Sequence, residues 1–453
     1  MTGMGTGMAA TSEKFIVVGG GLGGALMAIY LGRAGQEVEV YERRPDPRRG
    51  NVAEGRSINL AISTRGLHAL ERAGLRERIL SIAIPMRGRM LHSPTGTIRF
   101  QPYGTRPEHT INSVSRAALN AALLDAAEAL PNVRLFFGRR CVGADLDTPS
   151  VYFEDRESGS TSAVQGDAVV GTDGAFSAIR LQMQRLEGFN YRQDYLEHGY
   201  KELVIPPAVE GGFLMEKNAL HIWPRGGTML IALPNFDGSF TCTCFWPLQG
   251  PHSFAVLNSP EALQAHFREQ FPDALPIMPT LTEDYFGNPV GSLVTIRCKP
   301  WHYRDKVVLL GDSCHAVVPF YGQGANAAFE DCVVLDECLR SGVSGRQEAF
   351  ARYEQLRRRN TDALADLSLE NFVEMRDKAA STLFLMEKHL EKALHRILPD
   401  WFVPLYTLVT FTRTPYAEAV ARAGRQWRMV QGLAAVLVFL AAVFLTLWMG
   451  PWD

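Results

Sequence analysis

In the stretch KFIVVGGGLGGALMAIYLGRAGQEVEVYER, the apolar run Phe15–Val18 leads into a glycine turn, an apolar segment of helical length and a second short run, VEVYE. An unbroken apolar strand is one buried on both faces. The pattern predicts a strand, a helix from about Leu22 to Arg33 stopped at Gly35, and a returning strand. Such a βαβ opening pairs its strands in parallel and implies a doubly wound sheet. Strand-then-turn units return far downstream, in DAVVGTDGAFSAIR, ending at Gly171, and in KVVLLGDSCHAVVP, ending at Gly311-Asp312. Between them, Tyr191 to Val294 is rich in strand-like segments such as YKELVI, TMLIALP and SFTCTCFW, which predicts an inserted, mostly antiparallel sheet. Beyond Cys332 the period becomes helical. The expected organisation is an arm at 1–14, a doubly wound domain in two parts at 15–190 and 296–345, the inserted sheet at 191–295, a helical region at 346–428 and a last apolar helix at 429–449.

That last stretch, MVQGLAAVLVFLAAVFLTLWM, is uncharged and close to the ~20 residues a bilayer crossing needs. Arg422, Arg425 and Arg428 precede it, Trp427 and Trp448 bracket it, and only Asp453 is charged after it. A positive flank on one side predicts a membrane anchor with the main body in the cytosol. The opening MTGMGTGMAATSEK has no apolar core of a secretory signal. A formal net charge of −2 without a dense basic run gives no sign of a nucleic-acid partner. Seven scattered cysteines form no metal-ligand spacing; Cys242 and Cys244 in TCTCFW would share one strand face as reduced, apolar-facing thiols.

Gly19-Gly20-Gly21-Leu22-Gly23-Gly24 satisfies G-x-G-x-x-G in the required place, after a strand and at the head of a helix. These glycines suit a dinucleotide pyrophosphate, and Glu42 at the end of the next strand suits ribose hydroxyls. The two distant units point to FAD over a nicotinamide nucleotide, because a flavin dinucleotide is held along its whole length. Asp312 is placed for ribityl hydroxyls. FYGQGANAAFED, Phe320 to Asp331, would bring glycine backbone against a flat ring and then aim a helix N-terminus at it. His315 is expected to pack at a helix start and not to catalyse.

The three motifs together resemble the single-component flavoprotein aromatic hydroxylases. GRSINLAISTRG, IPMRGRMLHS, HGYKELVIP, LHIWPRGGTMLIALPN, VPFYGQGANAAFEDC, NFVEMR and PLYTLVTFTR resemble the kynurenine 3-monooxygenase family over nearly the whole chain. Tyr321 stands where that family usually has Phe, and Ala325 where it usually has Met. The resemblance implies an α/β fold: an FAD-binding Rossmann-like doubly wound domain, an inserted mostly antiparallel β-sheet substrate domain, a helical C-terminal region and a transmembrane helix. It implies hydroxylation of L-kynurenine ortho to the aromatic amine with NADPH and O2, in tryptophan degradation. The chemistry would be carried by FAD, with no catalytic side chain and no metal. The expected cofactor set is Gly19, Gly21, Leu22, Gly23, Gly24, Tyr41, Glu42, Arg43, Arg44, Ala61, Arg116, Cys141, Asp173, Gly311, Asp312, Gln323, Gly324, Ala325 and Asn326. No second G-x-G-x-x-G is present, so NADPH is expected to dock transiently at the surface.

A kynurenine carboxylate calls for an arginine fork. Arg87 and Arg89 in PMRGRM would share a strand face, and spacing does not choose between them; the resemblance favours Arg89. It adds Tyr103 to the same carboxylate and Asn371 as a third polar contact. Glu374, one helical turn on, would support the amino end, and Tyr406 would close the pocket. Met229, Ile231 and Leu233 alternate along one strand face and offer an apolar wall, joined by Leu220, Phe245 and Phe320. Rival readings are another membrane-attached flavin monooxygenase or reductase, and a non-catalytic flavin-binding scaffold. A eukaryotic source would imply the mitochondrial outer membrane, a bacterial one the inner membrane. Oligomeric state stays open.

Overall fold

The computed structural model describes residues 12–49, 59–104, 106, 108–378 and 382–448. Most of the expected N-terminal arm, the start of GRSINLAISTRG, Met449 and Asp453 lie outside the described residues. A six-stranded sheet runs in the order His302–Tyr303, Val307–Leu309, Ala168–Gly171, Lys14–Val18, Glu37–Glu42, Val133–Phe137. Every pairing is parallel except that of the first two strands. Lys14–Val18 is central, with Val17 opposite Val170 on one side and Val40 on the other. Ile16 and Val17 are both fully buried, each worth about 1.5–3 kcal/mol of apolar burial. The helix Leu22–Arg33 has the predicted bounds and packs against the helices Arg116–Glu128 and Gly324–Arg340.

A second, seven-stranded sheet runs Gly291–Lys299, Asn190–Ile205, Phe240–Pro247, Met229–Pro234, Ala219–Pro224, Gly88–His92, Ile98–Pro102. Its pairings are antiparallel save one, Ala219–Pro224 beside Gly88–His92. The sheet thus takes in two strands from the first hundred or so residues, which local alternation in 191–295 could not announce. Both of its faces are apolar. Leu230, Ala232, Cys242, Cys244 and Trp246 pack toward the helices Pro260–Gln270 and Leu281–Gly287. Met229, Ile231 and Leu233 point the other way, as the alternation predicts.

The helix Arg346–Val373 continues into a wider turn, Glu374–Lys378, then Thr382–Ile397 and Leu405–Phe411. The last helix, Tyr416–Trp448, has two characters. Tyr416, Ala419, Ala423 and Gln426 are buried against the body, whereas every described residue from Gln431 onward is exposed. This is one helix long and apolar enough to cross a membrane.

Candidate active site

The predicted turns meet at the C-terminal ends of adjacent parallel strands, where open α/β sheets bind ligands. Gly19 donates its N–H to Tyr41 O at 2.8 Å, Thr172 donates to Val18 O at 2.9 Å, and Leu310 donates to Gly171 O at 2.9 Å. Thr172 Oγ1 also donates to Gly19 O at 2.8 Å. Two glycines are sterically obligatory. At φ 104°, Gly19 has backbone 2.5 Å from where a Cβ would stand, and a Cβ on Gly24 would lie 1.9 Å from Gly19 O. Gly23 passes under Leu310, and its carbonyl accepts from Cys332 Sγ at 3.3 Å. A Cβ on Gly21, by contrast, meets nothing within 4 Å, and Gly21 caps the helix that starts at Leu22. Open space before a helix N-terminus is what a pyrophosphate requires.

The surrounding groups fit a flavin dinucleotide. Glu42 is oriented by two backbone donors, Gly20 N–H to Oε2 at 2.9 Å and Arg44 N–H to Oε1 at 3.0 Å, and each oxygen keeps a further lone pair. Asp312 is exposed at the head of its short helix. Asp173 accepts from Ala178 N–H at 2.7 Å through Oδ2, while its Oδ1 is buried without a protein partner; burial pushes this carboxyl up. Arg43 and Arg44 are exposed beside Glu42. Arg116 is exposed at the start of its helix, where its charge is felt by Glu202 and Tyr200. Cys141 donates to Gly143 O at 3.7 Å, and burial pushes its thiol up to about 12, so it is a neutral group. Tyr41 is placed differently from a ligand-contacting side chain. Its ring is stacked between Phe136 and Phe153 at 4.7 and 4.1 Å, and its hydroxyl donates to Glu39. Only its backbone reaches the glycine turn.

The Gly-Gln-Gly loop is tied down by side chains. Asn326, fully buried, donates to Ala61 O at 2.8 Å and Gly322 O at 3.0 Å and accepts from Ser63 N–H at 2.9 Å. Gln323 donates to Ser63 Oγ at 3.2 Å and accepts from Tyr416 O–H at 3.0 Å. Both amides are therefore spent within the protein, and what the loop offers a ring is its backbone and the N-terminus of Gly324–Arg340, with Ala325 in its first turn. Below it, Asp331 is fully buried between His315 and Arg357, accepting from Arg357 Nε at 2.6 Å and from Gly311 N–H at 3.2 Å. Burial raises this carboxyl, but its contacts with His315 and the Arg357 guanidinium outweigh that and hold it low. His315 lies tilted against Trp301 with ring centres 5.1 Å apart, a packing and hydrogen-bonding role.

The substrate-side candidates also converge. Arg87 lies exposed in the break between Ile84–Met86 and Gly88–His92, so the two arginines do not share one continuous strand. Arg89 faces inward, its guanidinium 5.5 Å from the ring centre of Tyr103 and 5.0 Å from that of Tyr406. Its Nε is buried with no partner among the described residues. Burial works against this charge, but the phenol oxygens of Tyr406 and Tyr103 more than offset it. Burial raises both phenols, so all three groups are donors at neutral pH. Leu220, Ile231 and Leu233 line the same cluster as Tyr103 and Tyr406, and Leu220 and Ile231 continue into a second with Met229, Phe245 and Phe320. Phe320 lies 4.9 Å from Phe245 and stacks on Phe372 at 4.2 Å. Asn371 donates to Phe320 O at 2.7 Å and to Met375 S at 3.2 Å, so its amide nitrogen holds the loop. Glu374 is half-buried with its charge felt by Tyr321, whose ring lies 5.7 Å from Tyr406. Phe372, Ser63, Thr172 and Tyr416 were not foreseen. Phe372 lies in NFVEMR, as Ser63 and Thr172 lie in GRSINLAISTRG and DAVVGTDGAFSAIR, yet a helical Phe carries no mark that separates a site wall from core.

The FAD binding domain family matches residues 13–368. The fold is shared with a 2-methyl-3-hydroxypyridine-5-carboxylic acid oxygenase, at a TM-score of 0.65 and 22% identity over 81% of this chain and 93% of that one. It is also shared with p-nitrophenol 4-monooxygenase of Pseudomonas putida DLL-E4, at 0.66 and 18% over 85% and 94%. In sequence, the chain is 51% identical to kynurenine 3-monooxygenase of Myxococcus xanthus over 90% of this chain and 88% of that protein. The same enzyme of Salinispora tropica is 48% identical over 96% of both. That of Dictyostelium discoideum is 44% identical over 90% of both. Similarity of that depth along the whole body, on a fold whose glycine turns leave room for a dinucleotide, makes this chain a member of the kynurenine 3-monooxygenase family.

Proposed function

We propose that the chain is an FAD-dependent monooxygenase that converts L-kynurenine to 3-hydroxy-L-kynurenine with NADPH and O2. The observation that carries this reading is the buried, unpartnered Arg89 Nε, set between two protonated tyrosines at the edge of an apolar cluster. A desolvated arginine with a free donor fits a carboxylate, and Tyr103 and Tyr406 add neutral hydroxyls. FAD, when bound, takes reducing equivalents from NADPH and activates O2. The protein's part is to bind, orient and exclude water. Leu220, Ile231, Leu233, Met229 and Phe245 wall the aromatic ring, and Phe320, held by Asn371 and Phe372, stands between ring and loop. Glu374 serves the substrate's amino end. The positive end of Gly324–Arg340 would face the flavin ring and suit negative charge there.

The wider placement belongs to the same proposal. The domain with Asn190–Ile205 and its neighbours presents the substrate wall, and NADPH docks transiently on the FAD-binding domain. The apolar half of Tyr416–Trp448 spans a bilayer, with Arg422, Arg425 and Arg428 keeping the body on the cytosolic side. Purified protein is assayed for NADPH oxidation with and without L-kynurenine. The reading predicts strong stimulation by the substrate; oxidation indifferent to it favours a different flavoenzyme, and none at all favours a scaffold.

A further inference from the structure

The helix Thr382–Ile397 turns an apolar face away from the body. At about 100° per residue, Met386, Leu390, Ala393 and Ile397 fall in one narrow stripe. All of them are exposed, Met386 at 64% and Ile397 at 73%. His395 falls on the opposite side of the helix, where it is buried with Nδ1 2.7 Å from Phe402 O. The segment that follows adds exposed Leu398 and Trp401. A contiguous apolar face turned outward, with an imidazole turned inward, marks a surface that meets an apolar partner.

The position of that face identifies the partner. Met386, Glu387 and Leu390 border a cleft of about 630 Å³ together with Trp427 and Gln431 of the last helix. Trp401 O accepts from Gln426 Nε2 at 2.8 Å, Asp400 O accepts from Arg422 Nη2 at 3.4 Å, and Phe402 lies edge-on to Trp427 at 5.7 Å. These contacts fall between Arg422 and Gln431, the level at which the last helix passes from buried to exposed and its charges end, at Arg428. The stripe therefore runs on into the exposed apolar surface of Met429 and Leu433. A lipid layer covers both surfaces without a break, whereas a partner confined to the stripe would leave the rest in water. Arg396, Arg425 and Arg428 are exposed near this level and suit anionic headgroups, and Trp401 and Trp427 suit the boundary between headgroups and acyl chains. Glu387 also faces the cleft, so the apolar stripe and not net charge makes the contact.

We propose that the helix Thr382–Ile397 is a second membrane contact. It lies in the headgroup layer with Met386, Leu390, Ala393 and Ile397 against phospholipid acyl chains, and one chain enters the cleft between Leu390 and Trp427. The body is then seated on the bilayer beside its span and does not swing from a single tether. This rests on the reading of the last helix as a bilayer span, and the experiment below tells failure of the one from failure of the other.

The FAD-loaded full chain is reconstituted in vesicles of phosphatidylcholine and phosphatidylglycerol. Leu390→Cys, Ile397→Cys and, in the span, Leu440→Cys are each labelled with a fluorophore, and wild type supplies the background from its own cysteines. Quenchers are carried either on lipid acyl chains or in water as iodide. The labels at positions 390 and 397 are expected to lose fluorescence to acyl-chain quenchers about 5–10 Å below the headgroup boundary and to be protected from iodide. Quenching by iodide alone places the stripe in water, and protection from both quenchers places it under protein, a second copy or another partner; either result overturns the proposal. The label at position 440 tells which reading has failed. If acyl-chain quenchers reach it and neither of the others, the span stands and the second contact falls; if they reach none, both fall. Wild type gives a further measurement without substitution. In vesicles holding a phospholipid with a photoreactive diazirine on its acyl chain, irradiation is expected to attach lipid to peptides from Thr382–Ile397 as well as to the last helix. Lipid attached to the last helix alone overturns the proposal.

Discussion

Arg89 and Gly24 bracket what a single position contributes. A desolvated charge pair lost on one side costs about 2–5 kcal/mol of binding. Arg89→Ala is therefore expected to raise the Michaelis constant for L-kynurenine by more than tenfold while FAD content is unchanged; steady-state kinetics on flavin-normalised enzyme checks this. Arg89→Lys keeps the charge but not the fork, and should recover only part of the loss. At Gly24 there is no room at all, with Gly19 O at 1.9 Å and Thr172 Oγ1 at 2.6 Å from a Cβ. Gly24→Ala should yield protein without bound FAD, seen as loss of the visible flavin spectrum after purification. The glycine was legible because its spacing is a backbone requirement. The unpartnered Nε of Arg89 was not, since Arg87 offered the same chemistry two residues away, and only the strand break at Arg87 separates them.

At the scale of elements, the helix Gly324–Arg340 links flavin loop and core through Asn326 and Asp331. Asp331→Ala strips buried Arg357 of one partner, for which the cost of a broken buried pair is about 3–5 kcal/mol. A lower melting temperature, followed by flavin release, is the expected outcome. The pH dependence has a definite sign. Contacts with His315 and Arg357 hold Asp331 below its ordinary 3.8, so its contribution is complete above that value and is lost as pH falls through the depressed folded value. Acid melting of wild type should steepen below that pH, and the variant should lack this component. The βαβ opening was readable because its apolar run, glycine turn and helix are contiguous. The seven-stranded sheet was readable only where the chain is local: Met229, Ile231 and Leu233 alternate in one strand, but the docking of Gly88–His92 beside Ala219–Pro224 is a contact between distant segments that no local period records. Asn326 and Gln323 likewise pointed to the loop by sequence, yet their amides turned out to tie the loop down, a partner choice set by Ser63 and Tyr416.

Across the whole molecule, the last helix joins the folded body to an exposed apolar segment. Its first turns belong to the body, where Tyr416 O–H donates to Gln323 Oε1, Arg65 lies 4.0 Å over the Tyr416 ring, and Gln426 donates to Trp401 O. Its remainder is apolar and exposed. A chain cut after Arg428 should leave the carbonate-resistant membrane fraction and keep FAD, whereas a cut before Tyr416 should also lose FAD. Retention of flavin by the shorter chain would show that the helix is no part of the loop's support. Whether the FAD-binding body presents L-kynurenine to activated oxygen is read from the mass of the product formed with NADPH and isotopically labelled O2. The expected product is L-kynurenine heavier by a single labelled oxygen atom on its aromatic ring; unlabelled or unmodified kynurenine is the opposite result.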